Sequence, residues 1–292
     1  MRRLFLYCWL SLAVFSASAA TETPPMRLAA VGKNVTPASS PWQALDPHKL
    51  KLRSEAALIM DRAGNIVYAK QEDRALPIAS ITKLMTAMVI LDAGLPMQER
   101  ITITKDDRDL IQLTASRLEY GATLSREQLL QLALMASENR AACALARTYP
   151  GGKPAFIEAM NRKARDLGMH DSHFTGPAGL DADNVASARD VAKMVRAAQG
   201  YPFIRTATTT HSLSVRPYRG RGELRYVNTN RLLKSKAWDI QLSKTGYLNE
   251  AGRCLAMQAE IADRALVIVL LNSFGKLTPF GDSNRIRKWI EQ

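Results

Sequence analysis

Three short motifs bring together the residue types that acyl-transfer chemistry needs. Ser80-Ile81-Thr82-Lys83 opens an apolar helical stretch, Ser137-Glu138-Asn139 lies between two helices, and Lys244-Thr245-Gly246 sits where a strand meets a turn. A serine hydroxyl is a poor nucleophile until a nearby base accepts its proton. Lys83, three residues along, shares a helix face with Ser80 and is within reach of its hydroxyl. An amine can be that base only when neutral, which burial or a neighbouring cation brings about by lowering its pKa. Leu84-Met85-Thr86-Ala87-Met88 supplies apolar surroundings, Lys244 a second cation, and no carboxylate within the motif holds Lys83 charged.

The remaining positions complete a proton path and a substrate grip. Ser80 at a helix start places backbone N–H groups and the positive end of the helix dipole near a developing oxyanion. Ser137 can pass a proton towards a leaving amine, and Asn139 can orient Lys83 and hold a substrate carbonyl. Lys244 and Thr245 offer a cation and a hydroxyl for a substrate carboxylate. Gly246 lets an extended substrate lie close against strand backbone, as an added strand.

A lone S-x-x-K is common, and S-x-N or K-T-G alone is weaker still, but all three in this order form a specific signature. On these residues the sequence resembles the low-molecular-mass penicillin-binding proteins, the serine peptidases of family S11. The likeness runs from about Glu55 to the C-terminus and includes Pro77–Thr86, Leu134–Ala142, Tyr149-Pro150-Gly151-Gly152, Gly176-Pro177-Ala178-Gly179-Leu180 and Asn228-Thr229-Asn230. It implies an α+β, transpeptidase-like fold, an antiparallel sheet flanked by helices with a helical lobe carrying the middle motif. It also implies Ser80 as acylated nucleophile, Lys83 as base, and Ser137, Asn139, Lys244, Thr245 and Gly246 as site partners. The N–H groups of Ser80 and Tyr247 would form the oxyanion hole, with no metal or organic cofactor. Peptidoglycan peptides would be the substrates and β-lactam antibiotics covalent inhibitors.

Within that family the likeness is to D-alanyl-D-alanine endopeptidases, which cut the D-alanyl-diaminopimelate cross-bridge; the alternative is a D-alanyl-D-alanine carboxypeptidase. The residues after Gly246 suffice for two strands and a closing helix, so the extra β-rich domain and amphipathic tail of membrane-bound carboxypeptidases are not expected. Class A β-lactamases share the motifs but add a glutamate in an E-x-x-L-N segment. None occurs between the second and third motifs; Glu158-Ala159-Met160-Asn161 lacks both the spacing and the leucine.

The elements that must position these residues can be read in outline. Arg2-Arg3, an apolar run from Leu4 to Phe15 and Ser16-Ala17-Ser18-Ala19-Ala20 describe a secretory signal peptide over residues 1–20, so the mature protein is expected in the periplasm without an integral anchor. Residues 21–54 hold five prolines and no apolar period, which predicts a linker or loosely attached arm. A single peptidase domain is expected over 55–292. Its first two strands flank Asp61–Asn65, and helices are predicted from about Ser80 to Ala93, Ser125 to Leu134, Arg140 to Thr148, Pro154 to Leu167 and Ala188 to Ala198. Strands return over 224–227, 240–243, 253–261 and 264–271, and a helix over 283–291 closes the chain. Strands at both ends around inserted helices make an α+β domain, whose first hairpin must join the late strands.

Composition narrows the partners. Forty Lys and Arg face 27 acidic residues, for a formal +13, and an exported protein with no recognition motif is not a nucleic-acid binder. An anionic envelope polymer suits the charge. Cys143 and Cys254, in apolar contexts, read as buried free thiols more readily than as a disulfide. Two rival readings remain. His170-Asp171-Ser172-His173 could ligate zinc in a metallopeptidase, and a non-catalytic wall-binding protein could rely on charge and aromatics such as Tyr218, Tyr226 and Trp238.

Overall fold

The computed structural model describes residues 42–292; the expected leader and most of the expected arm lie outside them. In chain order the elements are β1 (Ser54–Asp61), β2 (Ile66–Lys70), β3 (Leu76–Pro77), α1 (Lys83–Asp92), β4 (Arg100–Thr102), β5 (Thr123–Ser125), α2 (Arg126–Met135), α3 (Asn139–Arg147), α4 (Gly152–Asp166) and β6 (Val185–Ala186). They continue with α5 (Ala188–Ala198), α6 (Pro202–Thr209), β7 (Ser212–Val215), β8 (Leu224–Val227), β9 (Asp239–Leu248), β10 (Gly252–Ile261), β11 (Arg264–Ser273) and α7 (Thr278–Ile290).

The main sheet has five strands in the order β2-β1-β11-β10-β9, and every pairing is antiparallel. The first hairpin joins the late strands by placing β1 against β11. Side chains alternate across a strand, so β11 serves two cores. Val267, Val269 and Leu271 face the helical lobe, while Leu266, Ile268 and Leu270 face the opposite layer. That opposite layer is built on α7, through Ile286, Trp289 and Ile290.

Helix starts follow their capping residues. The Ser125 hydroxyl accepts the Gln128 N–H at 3.1 Å, and the Gln128 side chain accepts the Ser125 N–H at the same distance, closing a capping box at α2. Ser187 caps α5 by accepting from Asp190 N at 3.2 Å. In α1, every residue from Lys83 to Ile90 is buried. A helix apolar all round belongs inside, and α1 is the axis of the helical lobe.

Besides α7, which begins at Thr278 rather than at 283, the structure departs from sequence expectation at four places. Residues 42–52, within the expected arm, are packed: Trp42, Leu50 and Leu52 are buried in the α7 layer. Trp42 Nε1 donates to Asp61 Oδ2 at 2.9 Å and Trp289 Nε1 to the Asp46 carbonyl at 2.9 Å. The helix expected from Ser80 begins as a 3₁₀ turn over Ala79–Thr82 and becomes α-helical only at Lys83. Strand β9 extends to Leu248, so Lys244-Thr245-Gly246 lies inside it rather than at a turn. The helix α6 has no sequence counterpart because its Phe-Ile-Arg-Thr-Ala-Thr-Thr run is rich in β-branched residues; Pro202 starts it, in the first turn where proline is tolerated.

Candidate active site

The site forms where the Ser80 turn, the α2–α3 connection and the edge strand β9 meet. A cleft of about 350 Å3 is bordered by Ser80, Ser137, Asn139, Thr245, Gly246 and Tyr247. Lys83 and Lys244 lie directly beneath it, 0% and 1% exposed. All eight residues singled out in the sequence therefore converge.

The 3₁₀ turn explains the first contact. With three residues per turn, side chains at i and i+3 eclipse, and Lys83 Nζ stands 2.8 Å from Ser80 Oγ. Lys83 Nζ also lies 2.8 Å from Asn139 Oδ1 and 2.7 Å from the Ala178 carbonyl oxygen. Burial brings the Lys83 pKa down to about 7, against upward pulls from Cys143, Glu138 and Asp109. Burial, not the neighbouring Lys244, is thus the main cause, and carboxylates from outside the motif do act on the amine. At neutral pH Lys83 has an accessible neutral form with two N–H donors and one lone pair. The two carbonyl oxygens can take only donors, so the lone pair is left for the Ser80 O–H.

Close packing holds both this turn and the α2–α3 connection in strained backbone. Ala79 has φ 47 and Ser137 φ 60, left-handed conformations that non-glycine residues adopt at a cost. A Cβ on Gly246 would stand 2.9 Å from the Ile78 carbonyl oxygen and 3.2 Å from Ser80 N. The close neighbour that requires glycine there is therefore the Ser80 turn, where the sequence suggested substrate. The same proximity sets the Ser80 N–H against β9, next to Tyr247.

Ser137 Oγ accepts from Lys244 Nζ at 2.9 Å, and Lys244 also donates to the Thr245 carbonyl at 3.0 Å. Burial first, then the charge of Lys83, lowers the Lys244 pKa well below the usual lysine range. Thr245 Oγ1 donates to Thr229 Oγ1 at 2.6 Å. Thr229 N in turn donates to the Met135 carbonyl at 3.2 Å, tying the Asn228-Thr229-Asn230 segment to the end of α2.

Several contributors were invisible as residue types. The Ala178 carbonyl is presented by a loop that Asn184 organises: Asn184 Oδ1 accepts the N–H groups of Thr175 and Gly176, and its own carbonyl accepts Ile78 N at 3.0 Å. The quoted Gly176–Leu180 stretch was the available signal. Thr114 reaches Asn139 from the 108–118 loop, which offered no motif. The cleft wall also includes Arg231, Arg253 and Lys276, with no carboxylate among its described lining residues. Arg253 stacks its guanidinium 3.6 Å from the centre of the half-exposed Tyr247 ring.

The His170–His173 segment serves the fold. His173 pairs its backbone with Val185, while Asp171 N and Ser172 Oγ donate to Asp190 at 2.7 and 3.0 Å. Among the described residues no group of three or more His, Cys, Asp or Glu is placed to hold a metal. Cys143 and Cys254 are free thiols, pushed by burial up to about 11 and about 12. Tyr226 and Trp238 are buried, one in each core.

Comparison with known proteins decides the family. The Peptidase S11 profile, described as D-alanyl-D-alanine carboxypeptidase, matches residues 43–275. This chain belongs to the peptidase S11 family. The S11 chain is 44% identical to a D-alanyl-D-alanine endopeptidase of Pseudomonas aeruginosa, over 87% of this chain and 82% of that one. It is 43% identical to a D-alanyl-D-alanine endopeptidase of Escherichia coli, over 82% and 78%. Its fold is shared with the Streptomyces K15 DD-transpeptidase, at TM-score 0.76 and 26% identity, covering 82% of this S11 chain and 98% of that structure. No helix among its described residues is long and apolar enough to cross a membrane.

Proposed function

We propose that this S11 enzyme is a serine D,D-endopeptidase that opens D-alanyl-diaminopimelate cross-links of peptidoglycan in the periplasm. The observation that carries the reading is the Lys83 amine, fully buried, with two carbonyl acceptors and Ser80 Oγ as its three neighbours. Neutral Lys83 takes the Ser80 proton while Oγ attacks the D-alanyl carbonyl. The resulting oxyanion is met by the N–H groups of Ser80 and Tyr247. The C–N bond then breaks, the Lys83 proton reaches the departing amine through the Ser137 hydroxyl, and Lys244 and Thr245 hold substrate beside it. Water attacks the acyl-Ser80 ester, giving its proton to Lys83 as the acid product leaves and Ser80 recovers its own.

Substrate class follows from charge and topology. The cleft wall carries Arg231, Arg253 and Lys276 unopposed, which suits a peptide bearing carboxylates. Among the described residues strand β9 has a partner on one side only, so an extended peptide can pair along its free edge. Similarity to two endopeptidases over most of the chain supports endopeptidase action; the family description keeps carboxypeptidase action as the second reading. Purified protein incubated with cross-linked dimeric muropeptides is expected to yield monomers, with slower release of D-alanine from monomeric pentapeptides. The opposite preference overturns the endopeptidase reading. Labelled penicillin is expected to form a stable adduct on Ser80, lost in Ser80→Ala and Lys83→Ala; a folded wild-type protein forming no adduct removes the mechanism.

A further inference from the structure

The Asn139 amide can face Lys83 in two ways, and only one leaves the base usable. If its oxygen faces the amine, Lys83 donates an N–H to it and keeps the lone pair for Ser80. If its NH2 faces the amine, an amide hydrogen competes for that lone pair. Resemblance of the motif alone does not fix this choice; something must hold the far end of the amide.

The 108–118 loop, which precedes β5, does so. Asp109, 5% exposed, accepts N–H bonds from Ile111, Gln112 and Thr114, each at 2.9 Å, and the Thr114 hydroxyl at 2.7 Å. These bonds hold its carboxyl below the usual carboxylate range despite burial, so near neutral pH it is ionised and can only accept. The one Thr114 hydrogen is therefore spent on Asp109. Towards its other neighbour, Asn139 Nδ2 at 3.0 Å, Thr114 Oγ1 has only a lone pair to offer. The amide must then turn its NH2 to Thr114 and its oxygen to Lys83, 2.8 Å away.

We propose that Thr114 and Asp109 are positioning residues that fix the direction of a hydrogen-bond relay, Asp109–Thr114–Asn139–Lys83, and so aim the Lys83 lone pair at Ser80. This deepens the reading above and rests on Ser80 as nucleophile and Lys83 as base. Neither positioning residue borders the cleft, so substrate binding is not their business. Their loss should slow the chemical step and leave affinity alone.

The decisive pair of variants is Thr114→Val, which keeps the shape and removes the acceptor, and Thr114→Ser, which keeps it. With labelled penicillin, Thr114→Val is expected to lower the limiting acylation rate about 10- to 100-fold at unchanged half-saturating concentration. Thr114→Ser is expected to stay within about threefold of wild type. Melting temperatures measured alongside separate positioning from folding: a Thr114→Val protein that melts with wild type yet acylates slowly, rescued by serine, supports the relay. The relay is overturned if folded Thr114→Val acylates at the wild-type rate, if Thr114→Ser is as slow as Thr114→Val, or if the loss lies in affinity. Should Thr114→Val fail to fold, Asp109→Asn measured the same way decides, with slow acylation expected and the wild-type rate refuting. A wild-type protein that forms no adduct defeats the parent reading and the relay together, whereas adduct formation indifferent to Thr114 defeats the relay alone.

Discussion

Gly179 lies so close to Ala79 that a Cβ on it would stand 1.9 Å from the Ala79 carbonyl oxygen and 2.7 Å from Thr82 Oγ1. The 176–180 loop is thus pressed onto the same turn that carries Ser80, one residue after the carbonyl that receives Lys83. Gly179 also has φ 67, which alanine adopts only with strain. Gly179→Ala is expected to push the loop and the turn apart, costing about 1–3 kcal/mol of stability and slowing acylation at least about 100-fold, in line with the cost of roughly 1 Å of misplacement. Chemical denaturation and stopped-flow acylation measure the two effects, and a variant as active as wild type would show that the turn does not depend on this contact.

The pH dependence has a definite sign. The Lys83 pKa is depressed to about 7, so the amine is protonated and useless as a base below that value and free above it. Acylation by labelled penicillin should rise about tenfold per unit up to roughly pH 7 and then level off. A rate that is flat from pH 5 to 8 would contradict Lys83 as the base.

Residues 42–52 give a stability prediction separable from activity. Leu50 and Leu52 bury their side chains in the α7 layer, across the sheet from the helical lobe. Leu52→Ala should cost about 2–4 kcal/mol while the folded fraction acylates at the wild-type rate. If the substitution leaves the denaturation midpoint unmoved, the packing of this stretch contributes nothing to the fold.

Chelation tests the zinc reading directly. The proposed chemistry uses the hydroxyls of Ser80, Ser137 and Thr245, the amines of Lys83 and Lys244, the Asn139 amide and backbone N–H groups. Dialysis against EDTA should therefore leave both adduct formation and muropeptide cleavage unchanged. Loss of activity that added zinc restores would bring His170 and His173 back into the reaction.

What could be read from the sequence, and what could not, divides along a physical line. The roles proposed for Ser80, Lys83, Ser137, Asn139, Lys244 and Thr245 belong to side chains, so their types and order were visible before any coordinates. Ala178 contributes a carbonyl, which every residue possesses, and only the surrounding glycines hinted at it. Asp109 and Thr114 belong to a loop without periodicity, and their meeting with Asn139 is a product of tertiary folding. The helices with apolar periods and the late strands were local and therefore legible. The stretch 42–52 misled because its three buried anchors, Trp42, Leu50 and Leu52, are too few, and too far apart between Trp42 and Leu50, to show a period among prolines and charges. Gly246 was noticed for the right reason, close approach, but the neighbour was the turn of Ser80.

Strand β9 ends the sheet, and an unpaired row of peptide groups invites strands from other molecules as readily as it does a ligand. Lys244 sits in the middle of that row with its side chain turned inward and buried, and the pairing of β9 with β10 slips between Gln258 and Ala259. Both are devices that discourage two sheets from fusing along their rims. If Lys244 serves the cleft as proposed, replacing it with an aliphatic residue is expected to remove an inward-turned charge from the rim, and so favour self-association, along with a site partner.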